Sequence, residues 1–207
     1  MFQRLKEIVG ESAVQLDIIS PYFVPTSAGV EALSGFVRRG VKVRVLTNAL
    51  EATDVGVVHA GYAKRRRALL ENGIELYELR RLSSDSVSTR SIGQSGSSGS
   101  SLHAKMVSVD RSRIFIGSYN FDPRSASLNT EMGLVIESPT LAQTIEAAVS
   151  ARVPSTTYQV RLTKTGELYW VEHREGGSVQ HDTEPGTNAW QRARLWSLSL
   201  LPVEWLL

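Results

Sequence analysis

No cysteine occurs among the 207 residues. Disulfide staples and zinc–thiolate centres are thereby excluded. Long apolar runs are missing as well: nothing approaches the ~18 apolar residues of a transmembrane helix. The opening MFQRLKEIVGESAVQLDIIS is amphipathic, carries charge throughout and has no signal-peptide core. Any membrane contact made by these residues is expected to be peripheral. Neither sign of charge dominates, with 23 basic and 21 acidic side chains, a formal net charge of +2 and a pI of about 9.0. That mild basicity suits an anionic partner without requiring one.

What is present is the composition of a folded protein, 42% hydrophobic and 21% charged. The length fits one domain, or one large half of a repeated one. Phe2–Val9 reads as a helix, VQLDIIS ends in a strand, and PYFVP is a loop. TSAGVEALSGFVRRG reads as a helix closed by Gly40, VKVRVLTN as a strand, Val55–Asn72 as a longer helix stopped by Gly73, and IELYEL as the next strand. Such repeated strand–helix units predict an α/β fold with a mostly parallel sheet covered by helices. Residues 81–101, RLSSDSVSTRSIGQSGSSGSS, bury almost nothing and predict a mobile loop, either a flap over a site or a plain insertion. Three strand-like segments follow, LHAKMVSV, RIFIGSYN and EMGLVIE, then a helix over Pro139–Val153. TYQVRLT and LYWVEHR are two further strand candidates, and NAWQRARLWSLSLLPVEWLL is a closing amphipathic stretch. Residues 1–153 are expected to form the main domain, with 154–207 an extension packed on it.

The chemistry gathers at the first of the three segments. Side chains alternate across a strand, so His103, Lys105, Val107 and Val109 share one face. In the next segment Ile114, Ile116, Ser118 and Asn120 do the same. A hairpin with the two-residue loop Arg111-Ser112 sets His103 opposite Asn120, Lys105 opposite Ser118, Val107 opposite Ile116 and Val109 opposite Ile114. Directly opposed Cβ atoms lie ~4.5–5.5 Å apart, so one end of the ribbon becomes polar and the other apolar. Four such groups suit a phosphate. Lys105 brings charge, Ser118 and Asn120 donate to non-bridging oxygens, and His103 attacks phosphorus or protonates the leaving oxygen. A bound metal is disfavoured there, because it would repel the Lys105 ammonium.

His103-Ala-Lys105, with Asp110 five residues on and Gly117-Ser118-Tyr119-Asn120 after it, resembles the HxKxxxxD…GSxN motif of the phospholipase D superfamily. SPYFVPTSAGVEAL, TDVGVVHAGYAKRRRALLENGIELYEL, NFDPRSASLNTEMGLVIE and LLPVEWLL resemble the C-terminal half of bacterial cardiolipin synthases, which nucleases of the superfamily do not share. The resemblance implies a phospholipase D-like mixed β-sheet with helices on both faces, one half of a pseudo-twofold enzyme with two motifs. It implies no cofactor and no metal. Glu131 matches the acid that orients the catalytic imidazole. Asp110, on the face away from His103 and near the turn, and Gly117 read as structural, and Arg124 as a further phosphate contact or part of an Asp122-Pro123-Arg124-Ser125 turn. Expected partners are a phospholipid and the cytoplasmic face of a bacterial inner membrane, met peripherally, and not nucleic acid.

Family chemistry needs two motifs, and none of His59, His173 and His181 is followed by x-Lys. The chain therefore holds half a site. The other half is expected in the same longer chain, for which the flanks and tail speak, or in a symmetric partner. The implied reaction makes cardiolipin from phosphatidylglycerol and a second phospholipid through a phosphohistidine. A phosphodiesterase or nuclease acting as a homodimer, and an inert isolated half, are the alternatives. Lys64–Arg67, KRRR, reads as a solvated helix face or a patch for anionic headgroups. His59 and Tyr62 read as ordinary helix residues. The tryptophans and leucines of WSLSLLPVEWLL read as packing residues or as an interfacial anchor.

Overall fold

A computed structural model describes residues 14–81 and 102–200. The expected Phe2–Val9 helix, the Ser/Gly-rich stretch beyond Arg81, and the end of the chain after Leu200 lie outside the described residues.

Nine strands form one mixed sheet: β1 Gln15–Ile19, β2 Lys42–Asn48, β3 Glu75–Leu79, β4 Met106–Val109, β5 Arg113–Gly117, β6 Gly133–Glu137, β7 Thr157–Leu162, β8 Leu168–Arg174 and β9 Gly177–His181. Their spatial order is β6-β5-β4-β1-β2-β3-β7-β8-β9. Only β1–β2 and β2–β3 run parallel. The mostly parallel sheet is thus corrected to a parallel centre with antiparallel wings, because only the first strands are joined by helical crossovers. β9 is an element that the sequence reading did not anticipate.

Alternation along the strands sorts two faces. Leu16, Ile18, Val43, Val45, Leu76, Val107 and Val109 are buried in the main core with Phe23, Leu33, Phe36, Tyr62 and Leu69. These last residues belong to or adjoin α1 Ser27–Arg38, α2 Gly56–Ala63 and α3 Arg66–Glu71. Thr26 caps α1 by accepting from Gly29 N at 3.3 Å, and Gly40, at φ +86°, lets the chain leave it. On the opposite face α5, Pro139–Thr156, lies against β3, β5, β7 and β8. α4, Pro123–Ser127, sits between β5 and β6 in the chain, and α6, Ala189–Leu200, packs along α2.

The single helix expected over Val55–Asn72 is two, with a break at Lys64-Arg65. The break turns part of KRRR inward, which neither surface reading foresaw. Lys64 and Arg67 are exposed, but Arg66 is 2% exposed. Its guanidinium lies 2.8 Å from Glu78, beside Glu184, and 2.6 Å from His59 Nε2. Tyr62 Oη and Trp170 Nε1 donate to Glu78 at 2.9 and 3.0 Å. Burial opposes the charge on Glu184, and Arg66 outweighs it, so that carboxyl stays well below its usual range. His59 and Tyr62 are therefore members of a buried ionic cluster. It ties α2 and α3 to β3, to β8 and to the segment before α6.

Candidate active site

The hairpin β4–β5 lies between β1 and β6. Its turn places Asp110 and Arg111 at φ +53° and +55°, and Ser112 N donates to Val109 O at 3.0 Å. Two consecutive positive φ values are the type I′ arrangement that fits strand twist, and aspartate tolerates the first of them better than most residues. The Asp110 carboxylate accepts from the backbone N–H groups of Val14 and Gln15, the latter at 2.9 Å, and so pins the turn to the start of β1.

The strand register departs from expectation by one residue. Met106 faces Ile116, Val107 faces Phe115 and Val109 faces Arg113. Three residues, Asp110–Ser112, separate the paired ends, where the sequence reading placed two. Regular pairing also starts only at Met106, with one more ladder bond from Gly117 N to Lys105 O at 3.2 Å. Strand alternation alone would send Ser118 and Asn120 to the wrong face. The chain leaves the sheet after Gly117, however, and tertiary bonds aim these side chains instead.

Ser118 N donates to Met132 O at 2.8 Å, and Ser118 Oγ donates to Glu131 and accepts from Met132 N at 3.0 Å. A Cβ on Gly117 would collide with Met132 O and with Gly133 Cα. Only glycine lets the two backbones approach so closely. Asn129 Nδ2 donates to Glu131 Oε1 at 3.4 Å. Burial pushes the Glu131 carboxyl up, but bonds from Ser118, Ser125 and Asn129, with the charge of Lys105, bring it below its usual value. Lys105 is half-buried. Desolvation holds its ammonium below the usual lysine range, against the pull of Glu131 and Asp122.

The next residues are anchored on the loop after β1. Phe121 N donates to Ser20 Oγ at 3.1 Å, Val24 N donates to Phe121 O at 2.7 Å, and the Phe23 and Phe121 rings lie 5.0 Å apart. Asp122 caps α4 by accepting from Ser125 N at 2.7 Å. Its burial raises its pKa despite these bonds. Asn120 N donates to Ser125 Oγ at 3.3 Å, and Asn120 Oδ1 is buried with no hydrogen-bond partner among the described residues. A pocket of about 300 Å³ opens here, lined by Tyr22, Val55, Val58, Asn120, Asp122, Arg124 and Asn129. Arg124 is exposed at its rim.

His103 is exposed in the extended segment before β4. Asn48, the last residue of β2, holds Leu102 from both sides: Leu102 N donates to Asn48 Oδ1 at 2.9 Å and Asn48 Nδ2 donates to Leu102 O at 3.3 Å. Lys105 Nζ donates to His103 O at 3.3 Å. The expected Glu131–His103 hydrogen bond is not made. The Glu131 carboxylate is taken by Ser118 and Asn129, and the imidazole has no hydrogen bond among the described residues. The structure thus gathers Lys105, Ser118, Glu131 and, through Ser125, Asn120 into one cluster, and leaves the His103 ring free beside it. Asn48 and the Tyr22–Asp54 hydrogen bond of 3.0 Å at the pocket edge were missed. For Asn48 a signal existed, since ligand sites collect at the carboxyl ends of parallel strands.

Residues 5–152 match the family model described as "Cardiolipin synthase, PLD-like domain". Cardiolipin synthase C of Escherichia coli (strain K12) is 50% identical over 205 residues, which are 99% of this chain and 43% of that protein. Cardiolipin synthase B of Salmonella typhi is 28% identical over 153 residues, covering 74% and 32%. The chain thus spans less than half the length of these relatives. Among solved structures, Nuc from Salmonella typhimurium, a phospholipase D family member, superposes with a TM-score of 0.57 at 18% identity, covering 77% of this chain and 90% of that one. Phosphatidylserine synthase of Haemophilus influenzae Rd KW20 gives 0.58 at 16%, covering 99% and 44%. These two carry the fold alone, a mixed sheet flanked by helices. With well over half of its length inside the family model, the chain belongs to the PLD-like cardiolipin synthase family.

Proposed function

We propose that the chain is one half of a phosphatidyltransferase that makes cardiolipin from phosphatidylglycerol and a second phospholipid at a membrane surface. The observation that carries this reading is the half-buried Lys105 held with Ser118, Asn120 and Glu131 beside an unbonded His103. Lys105, Ser118 and Asn120 bind the non-bridging oxygens of the phosphodiester, with Arg124 reaching in from the rim. The unpartnered Asn120 Oδ1 leaves that amide free to turn towards a ligand. Glu131 fixes Ser118 and offsets the charge of Lys105.

A histidine of a second motif attacks phosphorus, and the bond to the departing glycerol oxygen breaks as His103 gives that oxygen its proton. The hydroxyl of the acceptor lipid then loses its proton to His103 and attacks the phosphohistidine, which returns both imidazoles to their starting states. One imidazole cannot fill both positions in one step, so the second comes from the remainder of a longer chain or from a symmetric partner. Asp110 and Gly117 support this site without touching the substrate. Residues 154–207 serve as an extension of the catalytic half, and within it β7, β8 and β9 continue the sheet.

A second reading, a phosphodiesterase acting as a homodimer, draws support from the 90% coverage of Nuc, since the fold is complete in a chain of about this size. The experiment is to purify the 207-residue chain, measure its mass in solution and assay phosphatidylglycerol turnover. The monomer is expected to be inert. Robust His103-dependent turnover by a strict monomer overturns the half-site reading.

A further inference from the structure

We propose that the pocket beside the Lys105 cluster is a headgroup subsite that holds the glycerol of a glycerol phosphodiester against Tyr22, Val58 and Asn129. The inference rests on the proposed function for the phosphate that Lys105 binds, and deepens it by giving the alcohol on that phosphate a place of its own.

The pocket adjoins the cluster through shared residues. Asn120 lines it, and Asn129 lines it while donating to Glu131 Oε1 at 3.4 Å. Asp122, on its wall, is close enough to Lys105 to act on its charge. A group esterified to a phosphate held by Lys105 and Asn120 therefore has this cavity within reach.

The walls are tied together before a ligand arrives. Tyr22 comes from the loop after β1, and Asn120 and Asp122 from the segment after β5. Phe23 and Phe121, next to them in the chain, form an isolated parallel bridge, and Val24 N donates to Phe121 O at 2.7 Å. Tyr22 Oη donates to Asp54 at 3.0 Å, which fixes the ring at the pocket edge. Val55 and the buried Val58, at the start of α2, supply an apolar wall. Such preorganisation lowers the cost of ordering a ligand.

Size and chemistry decide among headgroups. About 300 Å³ is the lower end of the range for small-molecule sites, and five of the seven lining residues are polar, which disfavours an acyl chain. A polyol meets acceptors instead. Asp54 takes the Tyr22 proton, so the Tyr22 oxygen meets a ligand as an acceptor; burial and the Asp54 bond raise that phenol's pKa and keep the proton in place. The side-chain carbonyls of Asn120 and Asn129 are further acceptors, and that of Asn120 has no partner among the described residues. A trimethylammonium group calls for a cage of aromatic rings, and Tyr22 is the one aromatic lining residue. A primary ammonium calls for an uncommitted carboxylate. Asp54 is engaged by Tyr22 and Asp122 by Ser125 N at 2.7 Å, and the exposed Arg124 at the rim repels a cation.

The test is a titration of the 207-residue chain, followed by NMR, with inorganic phosphate, glycerol phosphate, phosphoethanolamine and phosphocholine. Glycerol phosphate is expected to bind about tenfold tighter than inorganic phosphate, the worth of one or two net hydrogen bonds, and the other two esters within about threefold of it. Val58→Phe fills the cavity and should bring the glycerol preference down to about one. Tyr22→Phe keeps the ring, removes one acceptor and should lower the preference about threefold; it carries the test if circular dichroism shows the Val58 variant misfolded.

A preference that both variants keep overturns the inference, and so does equal or tighter binding of phosphoethanolamine or phosphocholine. Lys105→Met, expected to weaken all four ligands, reports on the proposed function separately. Phosphate bound in a Lys105-dependent manner with no glycerol preference removes this inference alone; phosphate bound without dependence on Lys105, or not bound at all, removes both.

Discussion

Lys105 keeps its ammonium half out of water, under the pull of Glu131 and Asp122, and the reaction proposed above would use that arrangement when a phosphate replaces part of the lost hydration. Lys105→Met in an assembly carrying two motifs is expected to lower turnover about 10²–10³-fold, measured by release of glycerol from phosphatidylglycerol, with the thermal midpoint nearly unchanged. A value within threefold of wild type would remove Lys105 from phosphate binding. Gly117 has the opposite profile. A methyl group there meets backbone, not a movable side chain, so Gly117→Ala is expected to destabilise by about 1–3 kcal/mol, read by urea unfolding, and to disorder Ser118 as well. The residue types of the site were legible because His103, Lys105, Ser118 and Asn120 stand at fixed spacings in the chain. Their aim was not. Asp110 and Arg111 both take positive φ without a glycine to announce it, and beyond Gly117 hydrogen bonds to Met132 and Ser125 replace the alternation of a strand.

At the scale of elements, α3 and β8 each bury charge. Arg66 serves Glu78 and Glu184 together. Removing it strands two carboxylates, so Arg66→Met is expected to cost about 3–5 kcal/mol, whereas Arg66→Met with Glu78→Gln and Glu184→Gln recovers part of that loss. Equal stability of the single and triple variants in urea would show that the three groups do not act as a unit. On β8, bonds from Arg174 act against burial and, with His181 and Arg80, hold the Glu172 carboxyl at about 2, against an ordinary 4.5. A depressed carboxyl pKa contributes stability that is complete above the unfolded value and is lost as pH falls from there through the folded one. Wild type should therefore lose stability between pH 4.5 and 2, and Glu172→Gln should flatten that slope in acid unfolding followed by circular dichroism. Most elements could be read from the pattern, including β1 to β3 and α1. The break between α2 and α3 was hidden because KRRR reads as a solvent face until Glu78, Glu184 and Trp170 are brought to Arg66 by tertiary contacts. No local pattern carries that information.

For the whole molecule, the proposed half-site calls for a second imidazole, and mixing decides its source. If two copies of this chain complete each other's site, blending wild type with an equal amount of His103→Ala leaves about one quarter of the activity after exchange, since a mixed pair is dead. If both motifs belong to one longer chain, about one half remains. Assays of blends at several ratios separate a square from a straight line. The buried cluster around Arg66 also imposes an order in time. Tyr62, Arg66 and Glu78 are synthesised first, and Trp170 and Glu184, which complete their surroundings, leave the ribosome about a hundred residues later. At roughly 5–20 residues per second that interval is on the order of ten seconds. His103 and the hairpin that follows it emerge within it, while the nascent sheet still lacks β7 to β9. Ribosome-bound chains stalled at residue 153 are therefore expected to be cut readily by protease, and those stalled after the full sequence has cleared the exit tunnel to resist. Protection of the shorter chain would show that the nascent protein closes its centre without the partners that Arg66 and Glu78 have in the finished one.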